Sequence, residues 1–221
     1  LSIDMSKMTT RRYSTSFSLG IRFLQKDLQE PIYSIYGFVR FADEIVDSFD
    51  GYDKKTLLEK FTQETYEAID NKISLNPILN AFQHVVNTYQ IPQELIDTFL
   101  RSMEMDLEKK AYDKETYDEY ILGSAEVVGL MCLKVFLEGD QKEYDRLKMN
   151  AMKLGSAFQK INFLRDLNED YNDLGRTYFP GINLDEFNNT VKKDIENDIE
   201  NDFALGYQGI LTVSYTHLTL P

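Results

Sequence analysis

The chain has 221 residues, of which 43% are apolar and 28% are charged, and its net charge at pH 7 is −13. This length allows one large domain or two small ones, and the composition is that of a soluble globular protein. The negative charge argues against binding to nucleic acid or an anionic membrane, and the single cysteine excludes a disulfide framework and favours a reducing, cytoplasmic setting.

Helices are predicted from the start of the chain, because only five Pro and eleven Gly interrupt it. Residues 1–12 are polar and are predicted to be irregular. A first helix is predicted over 17–28. Pro31 suits the first helical position, so it is expected to open the next helix, at 32–49. No apolar run approaches the ~20 residues that span a bilayer.

Capping residues predict the following helices. Their expected ranges are 53–71, 76–89, 91–111, a helix from Asp113 onward, 140–174 and 184–205. Gly123 and Gly129 lie inside the helix from Asp113, where each costs roughly 1 kcal/mol. They predict the close approach of either a ligand or a neighbouring helix, and the sequence leaves both possibilities open.

The end of the chain has two further features. The acidic cluster from Asp194 to Asp202 is most simply a solvated helical face. From Ile210 to Pro221, β-branched and polar residues alternate, as in a strand. Nothing else in the chain predicts a strand, so 206–221 is interpreted as an atypical tail.

Five polar residues recur at steps of three and four in the helix predicted at 140–174. They are Gln159, Asn162, Arg165, Asp166 and Asp170. On a helix these residues share one face. Apolar neighbours such as Phe158, Ile161 and Phe163 are expected to pack the other sides into a core. Polar groups in such surroundings are costly to bury without a ligand, so the stripe predicts a binding site.

A second acidic motif lies on the helix predicted at 32–49. The two motifs are Arg40-x-x-Asp43-x-x-x-Asp47 and Arg165-Asp166-x-x-x-Asp170. One Asp-x-x-x-Asp pair is weak evidence, because this spacing is common on solvated faces, but two pairs with arginines are more specific. Mg²⁺ is held by carboxylates together with phosphate oxygens, and arginine binds the remaining oxygens. The motifs therefore predict Mg²⁺, or alternatively Mn²⁺, bound with a diphosphate between facing helices, and ionisation of an allylic diphosphate.

Several segments carry a resemblance to the squalene/phytoene synthase family of head-to-head prenyl transferases. They are Ser14-x-Ser16-Phe17, Tyr36 to Asp47, Tyr120 to Met131, Gly155 to Asp170, and Gly175-Arg176-x-Tyr178-Phe-Pro180. The resemblance covers 13–205, and within the family the chain looks most like bacterial phytoene synthases of carotenoid biosynthesis. It implies an all-α, isoprenoid-synthase-type helical bundle around a central cavity.

The family resemblance also implies a reaction and a set of site residues. Two prenyl diphosphates condense to a cyclopropyl-carbinyl diphosphate, which ionises again and rearranges to a linear product. The implied Mg²⁺ ligands are Asp43, Asp47, Asp166 and Asp170. The implied diphosphate-binding residues are Arg40, Gln159, Asn162, Arg165 and Arg176. The residues expected to line the ionisation site or contact the isoprenoid are Tyr36, Tyr120, Tyr178 and Phe17.

The leading hypothesis is conversion of two geranylgeranyl diphosphates into phytoene. A C30 synthase that uses farnesyl diphosphate is an alternative, since one sequence does not fix the cavity depth; squalene-type members of the family also need NADPH. A third hypothesis is that the chain is a non-catalytic, acidic, metal-binding helical protein. A transient membrane contact is compatible with a lipid product, although no residue pattern indicates one, and the oligomeric state stays open.

Three features depart from the family pattern. Glu126 stands where the family usually has Gly, which is expected to alter the cavity wall. The segment 170–176 is one residue longer than expected. The family's chains also continue through helices that help close the cavity, so weak substrate binding or inactivity of this chain is one expectation.

Overall fold

The computed structural model describes residues 1–13, 15–108, 112–169, 178–181 and 187–212. In these ranges it contains α-helices, one π-helical turn and no β-strand, so the predicted all-α fold is confirmed. The elements are α1 Ser2–Tyr13, α2 Thr15–Arg22, α3 Lys26–Ser48, α4 Lys54–Asn71, α5 Pro77–Tyr89, α6 Gln93–Glu108, α7 Lys114–Ile121, the π turn Leu122–Glu126, α8 Val127–Phe136, α9 Gln141–Glu169 and α10 Asn189–Thr212. None of these helices has the length and apolarity needed to cross a membrane.

The helices fall into two compact units. The first unit comprises Leu1–Ile96 and Met131–Asp145. The second comprises Asp97–Leu130 and the described part of Arg146–Val213. The acidic motif of α3 belongs to the first unit, and the polar stripe of α9 belongs to the second.

Helix α3 forms the centre of the first unit, where it contacts α1, α4 and α5. Phe38 is fully buried and stacks on Phe82 of α5, with ring centroids 3.8 Å apart. Helix α1 comes very close to α3 because Gly37 has no side chain: a Cβ there would lie 2.7 Å from the Ser6 Cβ. This packing fixes the backbone of the helix that carries the first acidic motif.

The second unit is built around buried aromatic residues. The rings in this core are Tyr112, Tyr117, Tyr120, Phe163, Tyr178 and Phe179. Glycines let neighbouring backbones approach one another beside them, since a Cβ on Gly123 would lie 2.7 Å from the carbonyl oxygen of Thr98. At Gly129 the corresponding distance, to the carbonyl oxygen of Ala151, is 2.8 Å. Of the two possibilities left open for these glycines, the structure shows helix packing.

Three of the predicted helix starts are confirmed by their caps. The Asp53 carboxylate accepts a hydrogen bond from the backbone N–H of Thr56 at 3.2 Å, and the Asn76 side chain accepts one from Ile78 at 3.0 Å. Asp113 and Thr116 form a reciprocal capping box at the start of α7. The predicted ends of α4 and α5, at Asn71 and Tyr89, are also found.

The prediction that residues 1–12 are irregular is wrong. Residues 2–12 belong to α1, and its polar residues Ser6 and Thr10 are buried. Each hydroxyl donates to a backbone carbonyl one turn earlier, at 3.4 Å for Ser6 and 2.8 Å for Thr10. A polar sequence can therefore form a buried helical face, because its side chains satisfy their own hydrogen bonds.

The predicted start of α3 at Pro31 is also wrong, because the helix begins at Lys26. Proline removes one backbone hydrogen bond near this end, but Leu28 and Ile32 are buried on the same side of the helix. The apolar burial outweighs the lost hydrogen bond.

Two further corrections concern the second half of the chain. The single helix expected from Asp113 is divided by the π turn at Leu122–Glu126. Residues 210–212 end α10 as a helix, where the sequence pattern predicts a strand. The rest of the predicted strand, 213–221, lies outside the described residues.

Candidate functional site

The first acidic motif lies on α3, as predicted, and its arginine contacts two neighbouring carboxylates. The Arg40 guanidinium donates to the carboxylate of Asp43, and also to that of Glu44 at 2.6 Å. Asp43 and Asp47 are half-buried and stand one helical turn apart. Glu44 is buried and was not assigned a role from the sequence, although it stands one turn after Arg40.

The chemistry of Asp43 and Asp47 suits Mg²⁺. Their oxygens are hard donors, and Mg²⁺ commonly takes one or two carboxylates together with substrate phosphates. Lys54 donates to the backbone carbonyl of Asp47 at 3.1 Å and so fixes the end of α3. Across the described ranges, no group of three or more His, Cys, Asp or Glu residues is arranged to hold a metal ion.

Two aromatic residues assigned from the sequence meet in the first unit. The rings of Phe17 and Tyr36 have centroids 5.1 Å apart and are tilted by 36°. Burial raises the pKa of Tyr36, and the nearby Cys132 adds to the shift. The Tyr36 phenol is therefore neutral at ordinary pH and stands one turn before Arg40 on α3. That these rings line the ionisation site stays a prediction.

The second acidic motif lies on α9, and the structure describes part of it. Gln159 and Asn162 are half-buried. Arg165 donates to both carboxylate oxygens of Asp166, through Nε at 2.7 Å and Nη2 at 2.5 Å. Asp170 and Arg176, two further predicted site residues, lie outside the described residues.

The apolar surroundings of the α9 stripe differ in part from the prediction. Phe163 is buried in the aromatic core, as expected. Phe158 and Ile161 are each 40% exposed, so these two residues do not pack into a core. The side of α9 that packs is narrower than its apolar composition suggests.

The two motifs have one feature in common: an arginine is paired with the first aspartate. Arg40 contacts Asp43 in the first unit, and Arg165 contacts Asp166 in the second. Each carboxylate thereby has a counter-charge on its own helix. That the two motifs face one cavity stays a prediction.

A buried carboxylate in the second unit gathers two of the predicted site tyrosines. Asp106, on α6, is only 6% exposed. Tyr120 Oη donates to Asp106 Oδ2 at 2.5 Å, whereas Tyr112 Oη and Tyr178 Oη donate to Oδ1 at 2.9 and 3.4 Å. Tyr120 and Tyr178 were assigned to one site from the sequence. The structure brings them together around Asp106, which was not predicted.

The rings of this cluster form a close-packed aromatic box. Tyr178 stacks on Phe163, with centroids 4.1 Å apart and planes 6° apart. The Tyr120 ring lies 5.4 Å from that of Tyr178 and 5.1 Å from that of Tyr112. Burial raises the pKa of Tyr120 well above its ordinary value, and the charge of Asp106 adds to the shift. The Tyr120 phenol therefore keeps its proton at any ordinary pH.

One signal in the sequence could have indicated Asp106. It stands seven residues after Phe99 and three after Met103, so all three share one face of α6. Phe99 and Met103 are 1% and 2% exposed. A carboxylate on so apolar a face needs buried partners.

A second buried polar cluster joins α9 to α10. Lys160 donates to Asp198 at 2.5 Å and to Asp202 at 2.7 Å. Asp202 also pairs with Lys153 at 2.9 Å and accepts from the Ser156 hydroxyl at 2.9 Å. The prediction that the acidic cluster at 194–202 is a solvated face is therefore wrong for Asp202, which is 5% exposed. This cluster holds two helices together.

Comparisons with known proteins identify what the chain is similar to. A model of the squalene/phytoene synthase family matches residues 10–213. The chain is 30% identical over 198 residues to a 4,4'-diapophytoene synthase of Staphylococcus haemolyticus, covering 86% of this chain and 66% of that protein. It is 32% identical over 173 residues to a presqualene diphosphate synthase of Sinorhizobium fredii, covering 77% and 60%. A phytoene synthase of Arthrospira platensis is 29% identical over 204 residues, covering 86% and 64%.

Solved structures show the same fold. A dehydrosqualene synthase in complex with a ligand superposes with a TM-score of 0.84 at 21% identity, covering 97% of this chain and 79% of that one. A squalene synthase from Alicyclobacillus acidocaldarius gives 0.82 at 24% identity, covering 96% and 84%. The chain spans about two thirds or less of the length of the three curated relatives above.

Proposed function

Because this chain belongs to the squalene/phytoene synthase family, we propose that it joins two prenyl diphosphates head to head. Geranylgeranyl diphosphate is the leading substrate and phytoene the leading product, in line with the phytoene synthase relative. Farnesyl diphosphate is the second candidate, because other relatives are a diapophytoene synthase and presqualene diphosphate synthases.

The observation that carries this proposal is the buried aromatic box around Asp106. Ionisation of an allylic diphosphate leaves a carbocation, which survives only where water is excluded and electron-rich groups surround it. The box contains the buried rings of Phe163 and Tyr178, which stack on one another, and a buried phenol oxygen at Tyr120. These features suit the walls of a site that handles a cation.

The acidic motifs would act on the diphosphate end of the substrate. Asp43, Asp47, Asp166 and Asp170 would hold Mg²⁺. When bound, Mg²⁺ would neutralise the charge of the departing diphosphate. Arg40 and Arg165 already stand beside the first aspartate of each motif, and diphosphate oxygens would compete with those carboxylates for the guanidinium groups.

The half-buried amides of Gln159 and Asn162 would support the bound diphosphate. They precede Arg165 on α9 at steps of three residues, so they extend the same stripe towards the start of the helix. An amide side chain both donates and accepts hydrogen bonds. It can therefore bind phosphate oxygens or the water around a cation without adding charge.

The proposal is tested by incubating the chain with radiolabelled geranylgeranyl or farnesyl diphosphate and MgCl₂. Released diphosphate, extracted hydrocarbon and any cyclopropyl-carbinyl diphosphate are measured separately. A C40 hydrocarbon supports the leading proposal, and a C30 hydrocarbon supports the second. Accumulation of the cyclopropyl intermediate alone places the chain with synthases that stop after the first condensation. Failure of both substrates to give any product would overturn the proposal.

A further inference from the structure

We infer that Asp106 is a positioning residue, which turns the hydroxyl protons of Tyr120 and Tyr178 towards itself and presents their oxygens to the reaction as acceptors. The inference rests on the proposed function, in which these two tyrosines line the site of ionisation. Asp106 is thereby added to the proposed site residues, and it acts through Tyr120.

Placing a carboxylate at this position is costly. Asp106 is 6% exposed and follows Met103 on the buried face of α6. Burying an ionised carboxylate costs several kcal/mol unless hydrogen bonds and charges satisfy it. An apolar residue at 106 would avoid that cost, so the carboxylate is expected to have a use beyond filling the core.

The carboxylate sets the direction of the hydrogen bonds. An ionised carboxylate has only acceptor sites, so each phenol that contacts it must donate. Tyr120 has one hydroxyl proton, and it points to Asp106 Oδ2 at 2.5 Å. Its remaining lone pairs point away from Asp106. Held in this way, Tyr120 does not donate to a diphosphate, but it offers electron density to a carbocation.

The shared carboxylate also couples the phenols. Tyr112 and Tyr178 both donate to Oδ1, at 2.9 and 3.4 Å, while Tyr120 bonds to Oδ2. The same phenols are in ring contact with one another. Rotating one hydroxyl away would disturb the others. Burial and the Asp106 charge also raise the pKa of Tyr120, so the phenol stays neutral while its oxygen acts as an acceptor.

The test compares Asp106→Asn with a matched control, Asp202→Asn. Both changes remove the charge of a buried carboxylate in the same unit, at 6% and 5% exposure. Asp106→Asn is expected to lower kcat by about 100-fold with little change in KM, because the substrate still binds but the phenol oxygen is misaligned. Asp202→Asn is expected to lower Tm and to leave the kcat of the folded enzyme unchanged.

A second readout does not depend on turnover. In ¹H NMR, the hydroxyl proton of Tyr120 is identified by its loss in Tyr120→Phe. It should lie far downfield in the wild type, and it should move upfield in Asp106→Asn, since a bond to a neutral amide oxygen is weaker. Asp202→Asn should leave this signal in place. Asp106→Glu keeps the charge, so it should retain the signal and have a higher kcat than Asp106→Asn. If Asp106→Asn does not fold, Asp106→Glu is used in its place.

The outcomes separate this inference from the proposed function. A wild type without turnover on either prenyl diphosphate refutes the proposed function and the positioning role with it. An active wild type whose Asp106→Asn variant keeps full kcat overturns the positioning role alone. Equal loss of kcat in Asp106→Asn and Asp202→Asn also overturns it, because the effect would then follow from removing any buried charge.

Discussion

Two buried aspartates in the second unit have contrasting partners. Asp106 accepts hydrogen bonds from three phenols. Asp202 accepts from two lysines and a serine. Both carboxylates are almost fully buried, and the sequence assigned a site role to neither.

The contrast shows that the chemistry of the partners indicates what a buried carboxylate does. Lys160 and Lys153 carry the opposite charge to Asp202, so that cluster stabilises the packing of α9 and α10 by ion pairing. Among the described residues, the hydrogen bonds to Asp106 come from neutral phenols that donate protons, so that cluster fixes where three O–H groups point. The first arrangement fits a structural role, and the second fits the preparation of a reactive surface.

The largest effect is expected from Tyr120→Phe. Removing the phenol oxygen should lower kcat by about 10³-fold, since it deletes an electrostatic group at the proposed cation. Steady-state turnover of a prenyl diphosphate checks the value. Adding Asp106→Asn to Tyr120→Phe should cost much less than Asp106→Asn costs alone, because most of its effect is expected to act through the Tyr120 oxygen. Multiplying effects in the double variant would contradict a positioning role that acts through Tyr120.

Lys160→Met should produce the opposite pattern. It leaves Asp202 with fewer opposing charges and is expected to cost about 3 kcal/mol of unfolding free energy. The kcat of the folded enzyme should not change. Urea denaturation measures the first quantity, and turnover at low temperature measures the second. A large loss of kcat without destabilisation would place this cluster in the reaction.

The features of the fold and of the site that have local determinants could be predicted from the sequence. Helix caps such as Asp53 and Asn76 act locally, so the starts of α4 and α5 were predictable. The shared helical face of Asp43 and Asp47 was predictable because i, i+4 spacing on one helix fixes a common face, whereas their role in a metal site stays a prediction. Asp106 was not predicted because its partners Tyr112, Tyr120 and Tyr178 come from later in the chain.

Local rules also failed where burial outweighed them. Pro31 reads as a helix start, but the apolar residues on both sides of it are buried together, and α3 begins five residues earlier. The polar α1 was missed because its hydroxyls bond to its own backbone. For α3 the outcome was decided by tertiary packing, which a single sequence does not display, and for α1 by hydrogen bonds within the helix.

A smaller effect is expected in the pH dependence of stability, to which the Asp202 cluster contributes through two titrating groups. Burial alone would raise the pKa of Asp202, but hydrogen bonds from Lys160, Lys153 and Ser156 outweigh burial and lower it. The stabilisation that Asp202 contributes is therefore present above its unfolded-state pKa of 3.8 and is lost as pH falls through its folded-state pKa.

Lys160 shows the opposite sign. Burial alone would lower its pKa, but the bonds to Asp198 and Asp202 raise it. The stabilisation that Lys160 contributes is therefore present below its unfolded-state pKa of 10.5 and is lost as pH rises through its folded-state pKa. The stability difference between wild type and Lys160→Met should be largest between these limits and should shrink outside them, as measured by urea denaturation across pH. A difference independent of pH would contradict ion pairing as its origin.

The smallest effects come from removing one neutral donor from each carboxylate. Tyr112→Phe takes a hydroxyl from Asp106, and Ser156→Ala takes one from Asp202, over the same 2.9 Å distance. Each should cost about 1 kcal/mol of stability, the usual net value of one hydrogen bond. Only Tyr112→Phe should also lower kcat, by several-fold, because the loosened Asp106 holds Tyr120 less firmly. Equal kcat in the two variants would mean that the phenol cluster, like the lysine cluster, serves only to hold the helices together.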